Sequence, residues 1–308
     1  MGNKNLRKAR KEKKDEFYTQ ITDIEKELKH YKDQLKGKII FCNCDDPEYS
    51  NFWKYFELNF HHLGLKKLVA THYDEEKPTY KLEYDGQQVI KTDLKQNGDF
   101  RSPEAVEILK QSDIVITNPP FSLFREYIAQ LIEYDKKFLV IGNQNAFTYK
   151  EIFPLIKNNK IWTGYYSGNF RFRVPDSYDR KNIEIDEDGN KYAKMGNITW
   201  FTNLDVKKRH ERLILYKKYT PEEYPKYDNY DAINVNRVTE IPSGYDGAMG
   251  VPITFLDKYN PEQFEILDAN DYRKNDDVPI KPHGLIKDKE ASINGNRTYV
   301  RILIRRKR

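Results

Sequence analysis

Apolar residues at Phe17, Ile21, Ile24, Leu28, Tyr31 and Leu35 are spaced by three and four, which lines them along one face of a helix. The run ends at Gly37, where a helix commonly stops. This spacing predicts an opening helix over residues 15–35. Short apolar, β-rich runs follow at 38–42, 67–70, 113–117 and 137–142, each bounded by turn formers, as buried parallel strands are. Between them, 50–63, 103–110 and 123–134 carry helical periodicity. Strands alternating with crossover helices predict a doubly wound α/β sheet. After Trp162 the pattern shifts to aromatic and β-branched segments at 169–174, 198–203 and 212–219, broken by the polar turn 186–190. These predict antiparallel strands closing the same sheet around an inserted hairpin. Beyond Thr220 the chain is rich in Tyr, Asn, Asp, Pro and Gly, with short strand candidates at 251–256 and 299–304, which predicts a smaller, loop-rich second region.

Composition narrows the classes. The chain has 308 residues, 38% hydrophobic and 33% charged, and no apolar run nears the roughly 20 residues of a membrane-spanning helix. Residues 1–14 are basic and polar with no apolar segment behind them, so no secretory signal is expected and the expected location is cytoplasmic. The only cysteines, Cys42 and Cys44, are too close for an ordinary disulfide and too few for a zinc site; both are expected as thiols. His61 and His62 are adjacent, and His30, His72, His210 and His283 show no ligand spacing, so no metal is expected. A net charge of +5 and a pI near 8.8 are too mild to name a partner. Basic residues do gather at the ends, within 4–14 and at Arg305, Arg306, Lys307 and Arg308, as phosphate contacts or as solvated tails.

The sharpest chemical feature is Asn118-Pro119-Pro120-Phe121, directly between the predicted strand 113–117 and an amphipathic helix. An acid or amide followed by two prolines and an aromatic arises by chance in about one chain of this length in a hundred. Ligands of open α/β sheets bind beyond the carboxyl ends of the strands, where this motif falls. An exocyclic amine on an aromatic base is a weak nucleophile because its lone pair is delocalised. Two acceptors aimed at its N–H bonds draw the nitrogen towards tetrahedral geometry. The Asn118 side-chain oxygen and the Pro119 backbone carbonyl are suited to this, with positive charge developing on nitrogen. Consecutive prolines fix φ and remove competing donors, and Phe121 would stack on a base taken out of the helix. The competing structural reading, a turn shaped by Pro119 and Pro120 with Phe121 plugging the core, leaves Asn118 unexplained.

The chain resembles the EcoRI-type modification methylases, a branch of the DNA adenine-N6 methyltransferases. The matching stretches are Asp15-Glu16-Phe17-Tyr18-Thr19-Gln20, Phe41-Cys42-Asn43-Cys44-Asp45-Asp46-Pro47, Thr117-Asn118-Pro119-Pro120-Phe121 and the segment 247–256, which together span nearly the whole chain. The resemblance implies a Rossmann-like methyltransferase sheet, S-adenosylmethionine as donor, double-stranded DNA as substrate, and a loop-rich C-terminal target-recognition region. It implies a division into 1–36 (basic arm and cofactor-covering helix), 37–220 (methyltransferase domain) and 221–308 (target recognition). It places Phe17, Tyr18 and Thr19 over the methionine end of the cofactor, Asn43 with Asp45 or Asp46 in the loop after the first strand, and Asp99 and Phe100 at the cofactor's adenine, with Asn118 bordering cofactor and base. One departure stands out: no Gly-x-Gly occurs between Phe41 and Ser50, so side chains must do more of the binding there. The acid for the ribose hydroxyls is hard to locate, Asp74 being the nearest candidate.

For base reading, Arg171, Arg173, Arg180, Lys181, Asn234, Asn236 and Arg237 carry donors and acceptors that suit base edges, and each also fits ordinary surface chemistry. Asn-Pro-Pro-aromatic motifs also serve enzymes acting on RNA bases or on protein glutamine, and a catalytically silent binding module would share the fold. A cognate restriction endonuclease acting on the same site without direct contact is compatible with the resemblance and is not decided by these residues.

Overall fold

A computed structural model describes residues 17–44, 46–75, 78–176, 178, 183–269, 291–299 and 301–307. Asp45, Arg180, Lys181, His283, Arg308 and the basic segment 4–14 lie outside the described residues. The chain divides into two compact units, one of residues 1–144 and 164–204, the other of 145–163 and 205–308.

The first unit opens with β1 (Tyr18–Thr19), followed by α1 (Ile21–Leu28) and α2 (Lys32–Leu35). The single helix expected over 15–35 is therefore a strand and two helices. The predicted apolar face is nevertheless the buried one: Phe17, Ile24, Leu28, Tyr31 and Leu35 are all in the core, and Ile21 alone is exposed. β2 (Ile39–Cys42), α3 (Asn51–Leu58), α4 (Phe60–Leu63) and β3 (Lys67–Thr71) come next, then the hairpin β4 (Tyr80–Tyr84) and β5 (Val89–Asp93). α5 (Pro103–Gln111), β6 (Ile114–Thr117), α6 (Phe124–Glu133) and β7 (Lys137–Asn143) complete the alternating part. β8 (Trp162–Arg173), β9 (Ile183–Ile185) and β10 (Lys191–Thr202) close it.

The sheet order is β1-β8-β10-β7-β6-β2-β3-β4-β5, with β9 paired to β10. Its centre, β3-β2-β6-β7, is parallel. β10 is antiparallel to β7, and the β4–β5 hairpin continues the sheet antiparallel to β3. All four apolar runs read as parallel strands are those strands, buried on both faces as their composition requires. From β2 the chain steps one way to β3; from β6 it steps the other way to β7. The point of reversal lies between β2 and β6, held in register by Ile40 opposite Ile114 and Phe41 opposite Val115. Such a reversal opens a crevice at the carboxyl ends of the strands, the standard ligand position of open α/β sheets.

In the second unit, α7 (Phe153–Lys157) precedes β11 (Ala232–Asn234), β12 (Ala248–Pro252), β13 (Phe264–Ala269), the hairpin of β14 (Ser292–Ile293) and β15 (Asn296–Arg297), and β16 (Arg301–Arg306). The four-stranded sheet runs β11-β12-β16-β13 over a small core of Tyr227, Tyr230, Ala232, Ala248, Ala291 and Leu303. The segment 251–256, expected as a strand, ends its strand at Pro252 and turns into a short 3-10 helix, because proline cannot donate to the ladder. The strand expected over 212–219 is absent. Its backbone is bonded by a side chain instead: Leu213 N donates to Gln263 Oε1 at 2.7 Å and Leu213 O accepts from Gln263 Nε2 at 2.8 Å. The segment is extended without a neighbouring strand.

Candidate active site

Adjacent strands lie about 4.8 Å apart, so the loops leaving β2 and β6 emerge side by side, with Asn43 on one and Asn118 on the other. Both side chains are buried, at 2% and 5% exposure. Six buried side-chain atoms on or just beyond β1, β2, β3 and β6 have no hydrogen-bond partner: Thr19 Oγ1, Asn43 Nδ2, Thr71 Oγ1, His72 Nδ1, Thr117 Oγ1 and Asn118 Oδ1. A buried polar atom left unpaired costs about 1–3 kcal/mol. A fold does not gather so many at one edge of a sheet for its own stability; donors and acceptors arranged this way suit a polar ligand.

The Asn118 amide is oriented by a residue 101 positions away. Its Nδ2 donates to the Phe17 carbonyl at 2.6 Å, leaving Oδ1 as the unpaired acceptor. Pro119 is buried beside it, while Pro120 uses its own carbonyl to accept from Leu123 N at 2.9 Å, opening the turn into α6. Phe121 is half-buried and stacks on Phe17, with ring centroids 5.7 Å apart and planes at 27°. Phe172 and Tyr178 extend this wall, 5.7 and 5.9 Å from Phe17. The sequence reading missed these last two; Phe172 alternates with Arg171 and Arg173 on β8 and looks like any core residue.

β1 is seated on β8 by the pairs Tyr18–Arg173 and Thr19–Phe172, and Thr19 O accepts from Asn51 Nδ2 at 2.7 Å. Phe17 and Thr19 are thus tied to the motif and to the start of α3. α6 gathers the other loops. Its Tyr127 hydroxyl donates to Asn43 Oδ1, and its ring packs edge-on against Phe100 at 5.0 Å. Burial pushes the Tyr127 phenol well above its ordinary range, so it stays a donor. Gln130 donates to the Phe100 carbonyl at 3.0 Å, and Glu126 holds Arg101 at 3.0 Å. Arg101 in turn grips Asp99 through Nε at 2.8 Å and a terminal nitrogen at 2.7 Å, and this bond raises the guanidinium above its ordinary value.

The loop carrying Asp99 is pressed against the loop after β3. Asp74 N donates to Asn97 O at 3.2 Å, and at Gly98, φ +71°, a Cβ would lie 2.0 Å from the His72 carbonyl; only glycine permits that approach. Asp46 accepts from the Tyr80 hydroxyl at 3.1 Å and from Glu48 N at 3.0 Å, and its other oxygen lies 3.6 Å from His72 Nε2. Burial and then the Asp46 carboxylate hold the Tyr80 phenol protonated. Asn43, Asp46, Asp74, Asp99, Phe100, Asn118, Phe17 and Thr19 therefore belong to one connected edge of the first unit. His72, Thr71 and Tyr127 join them unanticipated.

The described residues considered for base reading belong to both units. Arg171 pairs with Glu184 at 3.2 Å and stacks over Tyr192 at 3.7 Å, and Arg173 is exposed on β8. In the second unit Asn234 is buried and spent on the fold, accepting from Tyr227 at 2.7 Å and donating to Asn236 at 2.9 Å. Burial pushes the Tyr227 phenol up to about 12. Asn236 and Arg237 are exposed. Neither Cys42 nor Cys44 forms a disulfide. Among the described residues no cluster of metal-ligating side chains occurs, and no helix is long and apolar enough to cross a membrane.

A Rossmann-like sheet whose switch point carries a buried asparagine with an unpaired oxygen, followed by two prolines and an aromatic ring, has the form of a methyltransferase. Sequence comparison places the chain within that class: it belongs to the family of the adenine-specific methyltransferase EcoRI, which matches residues 5–307. It is 51% identical to the Type II methyltransferase M.EcoRI of Escherichia coli, over 99% of this chain and 97% of the relative. It is also 42% identical to M.MgeORF184P of Mycoplasma genitalium and 41% identical to M.MpnI of Mycoplasma pneumoniae, in each case over 97% of this chain.

Proposed function

We propose that the chain transfers a methyl group from S-adenosylmethionine to N6 of an adenine flipped out of double-stranded DNA at a specific site. The observation that carries this reading is the buried, partnerless Oδ1 of Asn118 beside Pro119 and Phe121. Asn118 Oδ1 and the Pro119 carbonyl accept the two N–H bonds of the target amine and favour the charge that develops on its nitrogen. Phe121 stacks on the extruded base, and Phe17 backs Phe121 on its other side.

The residues at the sheet edge fit the donor. Asn43 Nδ2 and Thr19 Oγ1 offer hydrogen bonds to the polar methionine end, which the segment of Phe17, Tyr18 and Thr19 would cover, and Asp45 or Asp46 is proposed for its ammonium. Asp74, with His72 beside it, is the proposed partner of the ribose hydroxyls. Asp99 is the proposed acceptor for the adenine amino group, against Phe100. When bound, S-adenosylmethionine supplies an electrophilic methyl on a sulfonium; the chain supplies position, acceptors and exclusion of water.

Arg173, Asn236 and Arg237, with Arg180 and Lys181, are the proposed contacts to the duplex, Arg171 and Asn234 supporting them. The Type II designation of the relatives supports a role as the modification half of a restriction-modification pair, in the cytoplasm, with the endonuclease meeting the same sequence independently. The deciding experiment supplies S-adenosylmethionine with a labelled methyl and unmethylated duplex DNA, and digests the product to nucleosides. Label is expected in N6-methyldeoxyadenosine with the wild type. With Asn118→Ala, turnover should fall by about 10²–10³ while cofactor affinity holds. Label absent from DNA would redirect the assignment to an RNA or protein acceptor.

A further inference from the structure

We propose that the backbone carbonyl of Phe17 is a positioning group for catalysis: it selects which end of the Asn118 amide faces the substrate. This rests on the reading of Asn118 as acceptor for the target amine. An asparagine side chain has two orientations of nearly identical shape. One presents oxygen to an incoming amine; the other presents NH₂ and sets donor against donor. Packing does not distinguish them, so a polar partner must.

Phe17 is that partner. Its carbonyl can only accept, its bond to Asn118 Nδ2 is 2.6 Å long, and both residues are buried. The flipped amide would set oxygen against oxygen where water does not reach. The carbonyl is held from three sides. Tyr18 and Thr19 are laddered to β8, Thr19 O is bonded to Asn51, and the Phe17 ring is enclosed by Phe121, Phe172 and Tyr178. Of these rings only that of Tyr178 carries a titratable group. The segment that contributes the carbonyl is thus the same one proposed to cover the methionine end of the donor. The target's amine therefore meets an oxygen only while that cover is seated.

The test replaces the donor that Phe17 requires. In Asn118→Asp, a protonated carboxyl donates to the Phe17 carbonyl and keeps one oxygen for the amine, imitating asparagine. An ionised carboxyl meets the carbonyl as a second acceptor. Single-turnover methylation by Asn118→Asp is expected to be fastest at low pH and to fall at least 30-fold between pH 6 and pH 9, relative to the wild type at each pH. A rate for Asn118→Asp that is level or rises with pH, with Asn118→Ala inactive, overturns the role of Phe17 and leaves the acceptor role of Asn118 standing. Near-normal turnover by Asn118→Ala removes the acceptor role itself. If Asn118→Asp is inactive at every pH, the wild-type enzyme decides. With ¹⁵N in asparagine side chains and ¹³C in phenylalanine carbonyls, a scalar coupling across the hydrogen bond is expected between Asn118 Nδ2 and the Phe17 carbonyl carbon. Its absence overturns the proposal.

Discussion

Asn118 and Phe121 act on different steps, and their variants separate accordingly. Oδ1 has no partner in the folded chain, so its loss falls on the transition state, while the Nδ2 bond to the Phe17 carbonyl that goes with it is lost from stability; Asn118→Ala therefore lowers kcat rather than donor affinity. Phe121 acts earlier. A base stacked on an aromatic ring gains about 1–3 kcal/mol, and part of that is retained because Phe17 and Phe172 still line the wall. Phe121→Ala should therefore raise the KM for DNA by about tenfold and weaken capture of an extruded base. Fluorescence of 2-aminopurine at the target position reports that capture directly. A fall in donor affinity with unchanged fluorescence would assign Phe121 to the cofactor instead.

At the scale of elements, the N-terminal segment depends on Glu27, a fully buried carboxylate on α1. It accepts from the Tyr31 hydroxyl and from the backbone N–H groups of Tyr165 and Tyr166, each at 2.7 Å. Gly164 allows the approach, since a Cβ there would lie 2.2 Å from the carboxylate. The carboxylate clamps α1 to the start of β8, the strand on which β1 is seated. Glu27→Gln turns a donor towards those N–H groups and leaves at least one unsatisfied, at about 1–3 kcal/mol for each. The urea midpoint should drop accordingly; an unchanged midpoint would show that α1 is held by its apolar face alone. Periodicity alone made α1, the four central strands and their crossover helices legible, because apolar burial has a fixed spacing in each. It could not show Glu27, since a charged residue in a helix reads as surface until its partners are known. The β4–β5 hairpin was overlooked although Asp85-Gly86 is a strong turn signal, with Gly86 at φ +94°; every residue of β5 is exposed, so the apolar pattern is missing. The Asn118 motif was visible as local sequence. The Phe17 carbonyl was not, because a backbone atom carries no sequence signature.

At the scale of the whole molecule, mild net charge conceals a local concentration. Residues 207–218 hold Lys207, Lys208, Arg209, Arg212, Lys217 and Lys218 against one acid, Glu211. Arg209 is turned inward, 4.0 Å over Trp162. Along the extended part Arg212, Ile214, Tyr216 and Lys218 are exposed in alternation, Ile214 at 87%. Cations on such a segment suit phosphates. Arg212→Ala with Lys218→Ala should weaken duplex binding regardless of sequence and flatten the plot of log affinity against log salt by about 1.8, for two lost contacts at about 0.9 each. An unchanged slope would leave this segment off the DNA.

Sheet order also imposes a timetable on synthesis. β1 is made well before its seat, β8, and β8 reaches the parallel centre only through β10, which ends at Thr202. Translation proceeds at about 5–20 residues per second, so Phe17 waits roughly ten seconds or more after it is made before its neighbours exist. A nascent chain halted soon after Phe121 already carries both the Asn-Pro-Pro-Phe motif and Phe17, but not the strand β8 on which the segment that aims the amide is seated.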